Sequence, residues 1–290
     1  MDKKRILVVD DQERWLRTIE LILGGSFELS LTGDPDEAIA LARTSFYSLA
    51  ILDQRITSEV TGLDLIEQLC RIQPDLRSII LTGYAELDDA VRSIQSGALD
   101  YLSKGRPDLA DELRERVTKV LEQGPRVDAL VAILQGGENA EVEFKESARW
   151  DTRLKRVNKD LELVVVRTIA AFLNSGPGGT LLIGVDDNGE VKGLQADFET
   201  LNKPNKDGFE TLLWTLLTGT YGKEFSPLLR IDFPQIGGME ICRISVKPSH
   251  KPVYVPDGSG GRDFYIRSGN SSRKLNTEEA IEYSKVRWSW

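Results

Sequence analysis

One histidine and two cysteines in 290 residues leave little from which to build a zinc site. His250 stands alone, which nearly excludes Ser-His-Asp catalysis and the chemistry of a histidine kinase. Cys70 and Cys242 lie in different halves of the chain, as expected of two unpaired thiols in a reducing cytoplasm. No apolar run approaches the roughly 20 residues that span a bilayer. The opening Met1-Asp2-Lys3-Lys4-Arg5 leads into the short run Ile6–Val9 and then into acids, without the apolar stretch and cleavage site of a secretory leader. A cytoplasmic chain with no membrane partner is therefore expected. There is no G-x-x-x-x-G-K-[ST] phosphate loop: the glycines at 176–179 precede Thr180-Leu181, and Gly258–Gly261 is a plain loop, so ATP binding finds no support. Neither a helix-turn-helix with a basic recognition helix nor an internal repeat is present.

What is present is a globular composition, 40% apolar and 29% charged, long enough for two domains. The net charge of −9 is unevenly spread. Residues 1–125 hold 15 Lys and Arg against 23 Asp and Glu, a net of −8, whereas residues 126–290 hold 22 against 23, a net of −1. The second half is thus free to meet nucleic acid but not obliged to.

Across the first 122 residues, short apolar strands alternate with amphipathic helices. Ile6–Val9, Glu28–Thr32, Leu49–Leu52, Ser78–Leu81 and Asp100–Leu102 read as strands; Glu13–Leu23, Pro35–Ser45, Thr61–Ile72, Leu87–Ser96 and Pro107–Glu122 read as helices. Five such units predict an α/β fold, a doubly wound five-stranded parallel sheet with its site at the carboxyl ends of the strands. Asp10 and Asp11 end the first strand, Asp53 the third and Thr82 the fourth, and Lys104 follows the fifth. Carboxylates gathered at one sheet edge make a hard oxygen site suited to Mg²⁺. A carboxylate attacking a phosphoryl group needs such a cation, and a lysine, to neutralise the incoming charge.

These residues resemble the response-regulator receiver family over residues 4–122, through Ile6–Asp11, Ile51-Leu52-Asp53, Thr61–Ile66, Ile80–Gly83 and Gly97–Lys104. The resemblance implies phosphorylation on Asp53 by a sensor histidine kinase. It implies Mg²⁺ held by Asp10, Asp11, Asp53 and the carbonyl of Arg55, a switch pair of Thr82 and Tyr101, and phosphate contact by Lys104. Two departures concern loop conformation: Gln54-Arg55-Ile56-Thr57 replaces a frequent Met-Pro pair, and Gly105 a usual proline.

Gly124-Pro125 breaks the last receiver helix. The expected division is a receiver over 1–124, a connector over 125–137 containing the helix-compatible Arg126–Gln135, and an output domain over 138–290. The connector reads equally as a plain spacer or as a helix that transmits dimer geometry. Beyond it the pattern becomes a mixed α/β (α+β) one. Strands are expected at Glu141–Lys145, Thr180–Val185, Leu229–Phe233, Glu240–Lys247 and Asp263–Arg267, and helices at Val157–Leu173, Asp207–Leu217 and Thr277–Val286, the last capped by Thr277.

Alternation along Glu141–Lys145 puts Glu141, Glu143 and Lys145 on one strand face. With a further acid from another strand they could hold a divalent ion beside a cation, for a phosphodiester; the same alternation also describes the solvated face of an edge strand. Residues 138–288 resemble the AlbA-like domain shared with Schlafen proteins, through Glu138–Lys145, Ala170–Ser175, Gly178–Gly189 and Phe264–Arg273. Some Schlafen proteins cleave RNA with three acids, which maps here to Glu138, Glu143 and Asp186, with Mg²⁺ or Mn²⁺; others are described as DNA-binding regulators. Candidate nucleic-acid contacts are Lys145, Arg149, Arg153, Lys155, Arg156, Lys159, Arg267 and Arg273, with Trp150 as a stacking ring. The Gly-Asn-Ser-Ser turn at 269–272 could hold an anion.

Phosphorylation is then expected to draw Thr82 and Tyr101 inward and to change a dimer or interdomain surface, with a homodimer on activation. Three outputs stay open at this point: binding of DNA or RNA, most simply as a DNA-binding transcriptional regulator; a phosphorylation-gated, metal-dependent nuclease; and a protein-interaction output.

Overall fold

A computed structural model describes residues 3–83, 100–122 and 127–288. It divides into two compact units, residues 1–126 and 127–290. The helix expected at Leu87–Ser96 lies outside the described residues.

In the first unit, β1 (Arg5–Val9), β2 (Glu28–Thr32), β3 (Leu49–Leu52), β4 (Arg77–Thr82) and β5 (Asp100–Ser103) form a sheet in the order β2-β1-β3-β4-β5, every pairing parallel. Its central strands are apolar on both faces because both faces are covered. Leu7, Val9, Ala50, Leu52 and Ile80 pack on α2 (Pro35–Thr44) and α3 (Gly62–Ile72). Their alternate neighbours Ile6, Val8, Ile51, Ile79 and Leu81 pack on α1 (Glu13–Leu23) and α4 (Leu109–Glu122). Local chemistry sets the helix starts. Asp34 caps α2 by accepting from Asp36 N–H at 2.8 Å, and Thr61 and Asp64 form a reciprocal capping box on α3.

The second unit opens with α5 (Val127–Gly136), inside the stretch read as a connector. It is no spacer: Leu130, fully buried, packs with Ile133 and Leu134 against Phe144, Leu182 and Ile241. Beyond α5, β6 (Val142–Lys145), a hairpin of β7 (Trp150–Asp151) and β8 (Arg156–Val157), and α6 (Lys159–Asn174) lead to β9 (Gly179–Ile183). The short α7 (Gln195–Phe198), α8 (Lys206–Tyr221), a 3-10 turn at Lys223–Leu228 and β10 (Leu229–Asp232) follow. Then come β11 (Gln235–Ile236) paired with β12 (Met239–Glu240), β13 (Cys242–Val246), and a three-stranded sheet of β14 (Tyr254–Pro256), β15 (Arg262–Ser268) and β16 (Ser271–Leu275), closed by α9 (Thr277–Trp288).

The main sheet of this unit runs β10-β13-β9-β6, with only β6 and β9 parallel. The mixed α/β architecture is as expected, with local corrections. Glu240–Lys247 is two strands, not one, because Ile241 breaks the ladder to donate its N–H to Pro234 and to fill the cluster around Phe144. The end of the 269–272 turn is already strand β16. The cap of α9 is Asn276 rather than Thr277: Asn276 Oδ1 accepts from Glu279 N–H, and Glu279 Oε2 accepts from Asn276 N–H, each at 2.9 Å. Fully buried Asn174 ends α6, donating to the carbonyls of Val253 and Tyr265 and accepting from Val253 N–H. That one amide joins the helix to β15 and to Val253, the residue before β14.

Candidate functional sites

At the carboxyl ends of β1 and β3, the carboxylates of Asp10, Asp11 and Asp53 bring ligand atoms within 4.8 Å of one another. Asp10 and Asp53 are buried, whereas Asp11 is exposed. Lys104, just past β5, reaches between the buried pair, bonding Asp10 Oδ2 and lying 3.2 Å from Asp53 Oδ1. Backbone donors fix the rest: Gln12 N–H to Asp10 Oδ1 at 3.0 Å and Gln54 N–H to Asp53 Oδ1 at 2.9 Å. Burial pushes both carboxyls above the usual carboxylate range, more than Lys104 draws them down. An oxygen-only, electron-rich donor set of this kind fits Mg²⁺.

A cavity of about 640 Å³ opens over these groups, lined also by Arg55, Thr82, Arg14 and Trp15. Tyr101 donates to Gln54 Oε1 at 3.0 Å, tying it to the residue after Asp53, while Thr82 is buried at the end of β4. Gly62 permits a close turn here, for a Cβ at that position would overlap the Asp53 carbonyl oxygen. Sequence reasoning missed Trp15, whose ring centre lies 5.2 Å from Lys104 Nζ as a cation–π contact. Its only sequence signal was a tryptophan on the first turn of a helix that follows the acids.

The second unit treats its expected site residues differently. Glu143 is buried, one oxygen 2.6 Å from Lys145 and the other 2.7 Å from Arg267. Glu138 accepts from Phe144 N–H at 2.8 Å and stands 3.8 Å from Lys145. Asp186 builds its own turn, taking N–H groups of Asn188 and Glu190 at 2.9 Å each, and pairs with Lys192. Among the described residues no second set of three acids brings its ligand atoms within 4.8 Å as the receiver set does; Glu138 and Glu143 share Lys145, while Asp186 pairs with Lys192.

The expected nucleic-acid contacts also separate. Arg267, with its side chain 3% exposed, is a clasp: besides Glu143 it bonds the carbonyls of Asn139 and Ala140 and stacks 4.8 Å over Phe172. Arg149 pairs with Glu162, and Arg273 with Glu279. Lys145, three-quarters covered, faces Glu143. Arg267, Arg149 and Lys145 are turned to the protein, whereas Arg273 is exposed and paired with Glu279 at the surface. By contrast Arg153, Lys155, Arg156 and Lys159 are exposed and, among the described residues, form no ion pair.

Those four cations sit on and beside the β7–β8 hairpin, which is pinned from below. Asp197, buried in α7, accepts from Ser147 Oγ at 2.8 Å and from the N–H groups of Arg149 and Trp150 at 3.0 and 3.2 Å. Asp151 Oδ1 shapes the turn by accepting from Arg153 and Leu154 N–H, and Lys155 takes the left-handed φ of 49° that closes it. Asp197 escaped sequence reasoning because a lone acid in Gln-Ala-Asp-Phe carries no pattern.

Residues 6–118 match the response regulator receiver domain family, and residues 138–276 the Schlafen AlbA_2 family. Residues 6–118 are a response regulator receiver domain and residues 138–276 a Schlafen AlbA_2 domain. The receiver is 36% identical over 119 residues to the alginate biosynthesis transcriptional regulatory protein AlgB of Pseudomonas aeruginosa, covering 41% of this chain and 26% of that protein. It is 39% identical over 102 residues to the photosynthetic apparatus regulatory protein RegA of Rhodovulum sulfidophilum, covering 34% and 54%. To the acid tolerance regulatory protein ActR of Rhizobium meliloti it is 37% identical over 111 residues, covering 38% and 56%. The chain therefore spans about half the length, or less, of these relatives. Among solved structures, a CheY-like receiver domain protein from Methanospirillum hungatei JF-1 is 29% identical over 42% of this chain and all of that one, with a TM-score of 0.38. No helix among the described residues is long and apolar enough to cross a membrane.

Proposed function

We propose that a sensor histidine kinase phosphorylates the receiver on Asp53, and that phosphorylation sets the access of the AlbA_2 domain to nucleic acid, most simply DNA in transcriptional control. With Oδ1 of Asp53 held by Gln54 N–H and Lys104, Oδ2 is the attacking oxygen. The new bond joins it to phosphorus while the phosphorus–nitrogen bond of the kinase's phosphohistidine breaks, its electron pair leaving with the imidazole. Asp10, Asp11, Asp53 and the Arg55 carbonyl would hold Mg²⁺, which when bound supplies positive charge beside the phosphoryl oxygens. Lys104 supplies the rest from a fixed position, and Thr82 receives a phosphoryl oxygen with its hydroxyl while Tyr101 exchanges its bond to Gln54.

For the output, the observation that carries the reading is the exposed set Arg153, Lys155, Arg156 and Lys159 on a rigid hairpin, without ion pairs among the described residues. Exposed cations outside ion pairs, Arg156 among them although it lies across the hairpin from Asp151, are the groups that neutralise phosphates and release counterions. Binding is favoured over cleavage because Glu138 and Glu143 already spend their charge on Lys145 and Arg267. The test is incubation of the full chain with labelled DNA and RNA at two salt concentrations and with Mg²⁺ or Mn²⁺, with and without a small phosphodonor, beside Glu143→Ala. Retention that weakens with salt supports binding. Cleavage lost in Glu143→Ala would replace the reading with a nuclease, and neither result would point to a protein partner.

A further inference from the structure

Phosphorylation changes one of the partners of Lys104. Its ion pair with Asp53, at 3.2 Å, gives way when that carboxylate becomes an acyl phosphate. A lysine stands on a flexible four-carbon stem, so an ammonium that is to stay in place needs a contact the reaction leaves alone. The Trp15 ring is such a contact, with its centre 5.2 Å from Lys104 Nζ. The Lys104 side chain is only 3% exposed, and a cation–π contact is strongest on an ammonium that water barely reaches. The indole is itself fastened. Its backbone N–H donates to the Gln12 carbonyl at 2.8 Å, and its half-buried ring packs on the core beneath α1 and α4. The Arg14 guanidinium lies 5.7 Å from the ring centre and bonds Gln12 Oε1 at 3.1 and 2.7 Å. Gln12 N–H in turn holds Asp10 Oδ1, and Lys104 bonds Asp10 Oδ2. The contacts close a circuit around the acceptor: Asp10, Gln12, Arg14, Trp15, Lys104 and back to Asp10.

We infer that Trp15 is a positioning residue for phosphoryl transfer, its π face holding the Lys104 ammonium at the acceptor while Asp53 is converted to the acyl phosphate. The inference rests on the phosphorylation of Asp53 proposed above. With acetyl phosphate as donor, the bond from Asp53 Oδ2 to phosphorus forms as the phosphorus–oxygen bond to acetate breaks. The electron pair leaves with the acetate. Charge that gathers on the phosphoryl oxygens then meets an ammonium already in place, which needs no reorganisation at the moment of reaction. An aliphatic side chain at this position would keep much of the packing of α1 but offer the ammonium no negative face.

The test reads initial rates of phosphate incorporation on a phosphate-affinity gel, using the full chain with acetyl phosphate and Mg²⁺. Wild type, Trp15→Phe and Trp15→Leu are compared, with a thermal melt of each. Trp15→Leu is expected to slow incorporation on the order of tenfold. Trp15→Phe restores a π face and should recover most of that loss. A merely structural role would not answer to electron density alone. The wild-type chain is therefore also made with tryptophan analogues bearing one and then several ring fluorines, which draw density from the π face with little change of shape. Its rate should fall stepwise with fluorine number. The Trp15→Leu chain made with the same analogues should show no such fall, which sets aside the tryptophans of the second unit. Should Trp15→Leu melt early, the fluorine series decides by itself, since it needs no substitution. A well-folded Trp15→Leu that matches wild type, or wild-type rates indifferent to fluorination, would overturn the positioning role while leaving phosphorylation of Asp53 intact. Absence of incorporation in wild type would overturn the parent reading, and the inference with it.

Discussion

Each half of the molecule places a lysine among carboxylates, and the two clusters differ in their charge balance. In the receiver, Lys104 stands against Asp10, Asp53 and the nearby Asp11, one cation for three acids. In the AlbA_2 domain, Glu143 and Glu138 face Lys145 and Arg267, two for two. A cluster short of positive charge is a place for a cation, and a balanced cluster is a fastening. Two groups of similar composition therefore carry opposite expectations, an active one for the receiver and a structural one for the output domain.

The largest expected effect comes from breaking the first cluster. Asp53→Asn should abolish phosphate incorporation from acetyl phosphate, seen as loss of the shifted band on a phosphate-affinity gel; a band that persists would move the acceptor elsewhere. Breaking the second should show in stability instead. Arg267→Ala leaves Glu143 half-partnered, strips a donor from the carbonyls of Asn139 and Ala140, and uncovers the Phe172 ring. The AlbA_2 transition in urea should weaken by about 3 kcal/mol. A variant that unfolds like wild type yet loses nucleic-acid affinity would restore Arg267 as a direct contact. Asp197→Ala orphans two or more N–H groups at the hairpin's base and should destabilise by about 2 kcal/mol while making the 149–158 segment protease-sensitive.

A smaller effect sharpens the comparison through pH. Burial holds Asp10 and Asp53 above the ordinary carboxylate range. Groups raised in this way favour the fold when protonated, so their contribution is full below the ordinary carboxylate pKa and is lost as pH rises through the raised value. At neutral pH the receiver bears the cost of burying these charges, which bound Mg²⁺ would offset. Added Mg²⁺ should raise the receiver's melting temperature by about 5 °C at pH 7, and by progressively less as pH falls toward the carboxylate range. The balanced cluster should give the AlbA_2 transition no such response. A Mg²⁺ shift of equal size in both transitions would erase the distinction.

The receiver was the more legible half because its chemistry and its packing use the same punctuation. Its central strands are apolar runs that end at a functional residue, so Val9 hands over to Asp10 and Leu52 to Asp53. The described strands and helices fall within a residue or two of expectation. In the second unit, α6 and β9 were equally plain, since Leu173 and Ile183 belong to strong apolar patterns. The hairpin strands β7 and β8 were missed because each is only two residues long, and strand β16, Ser-Ser-Arg-Lys-Leu, because four of its five residues are polar. A cation's surroundings are not written in its neighbours along the chain, and so Arg267 and Arg156 looked alike. Only the fold reveals that one is enclosed against Phe172 and Glu143 and the other faces solvent.

Trp15 is the one tryptophan in the first 125 residues, and its indole lies against the ammonium that answers to Asp53. Indole emission is sensitive to a nearby charge, so the receiver carries an optical probe of its own state at the point where the phosphoryl group arrives. Light emitted by Trp15 should follow occupancy of the acceptor in real time, with no label attached. The remaining tryptophans, all in the second half, supply a steady background that Trp15→Phe would isolate.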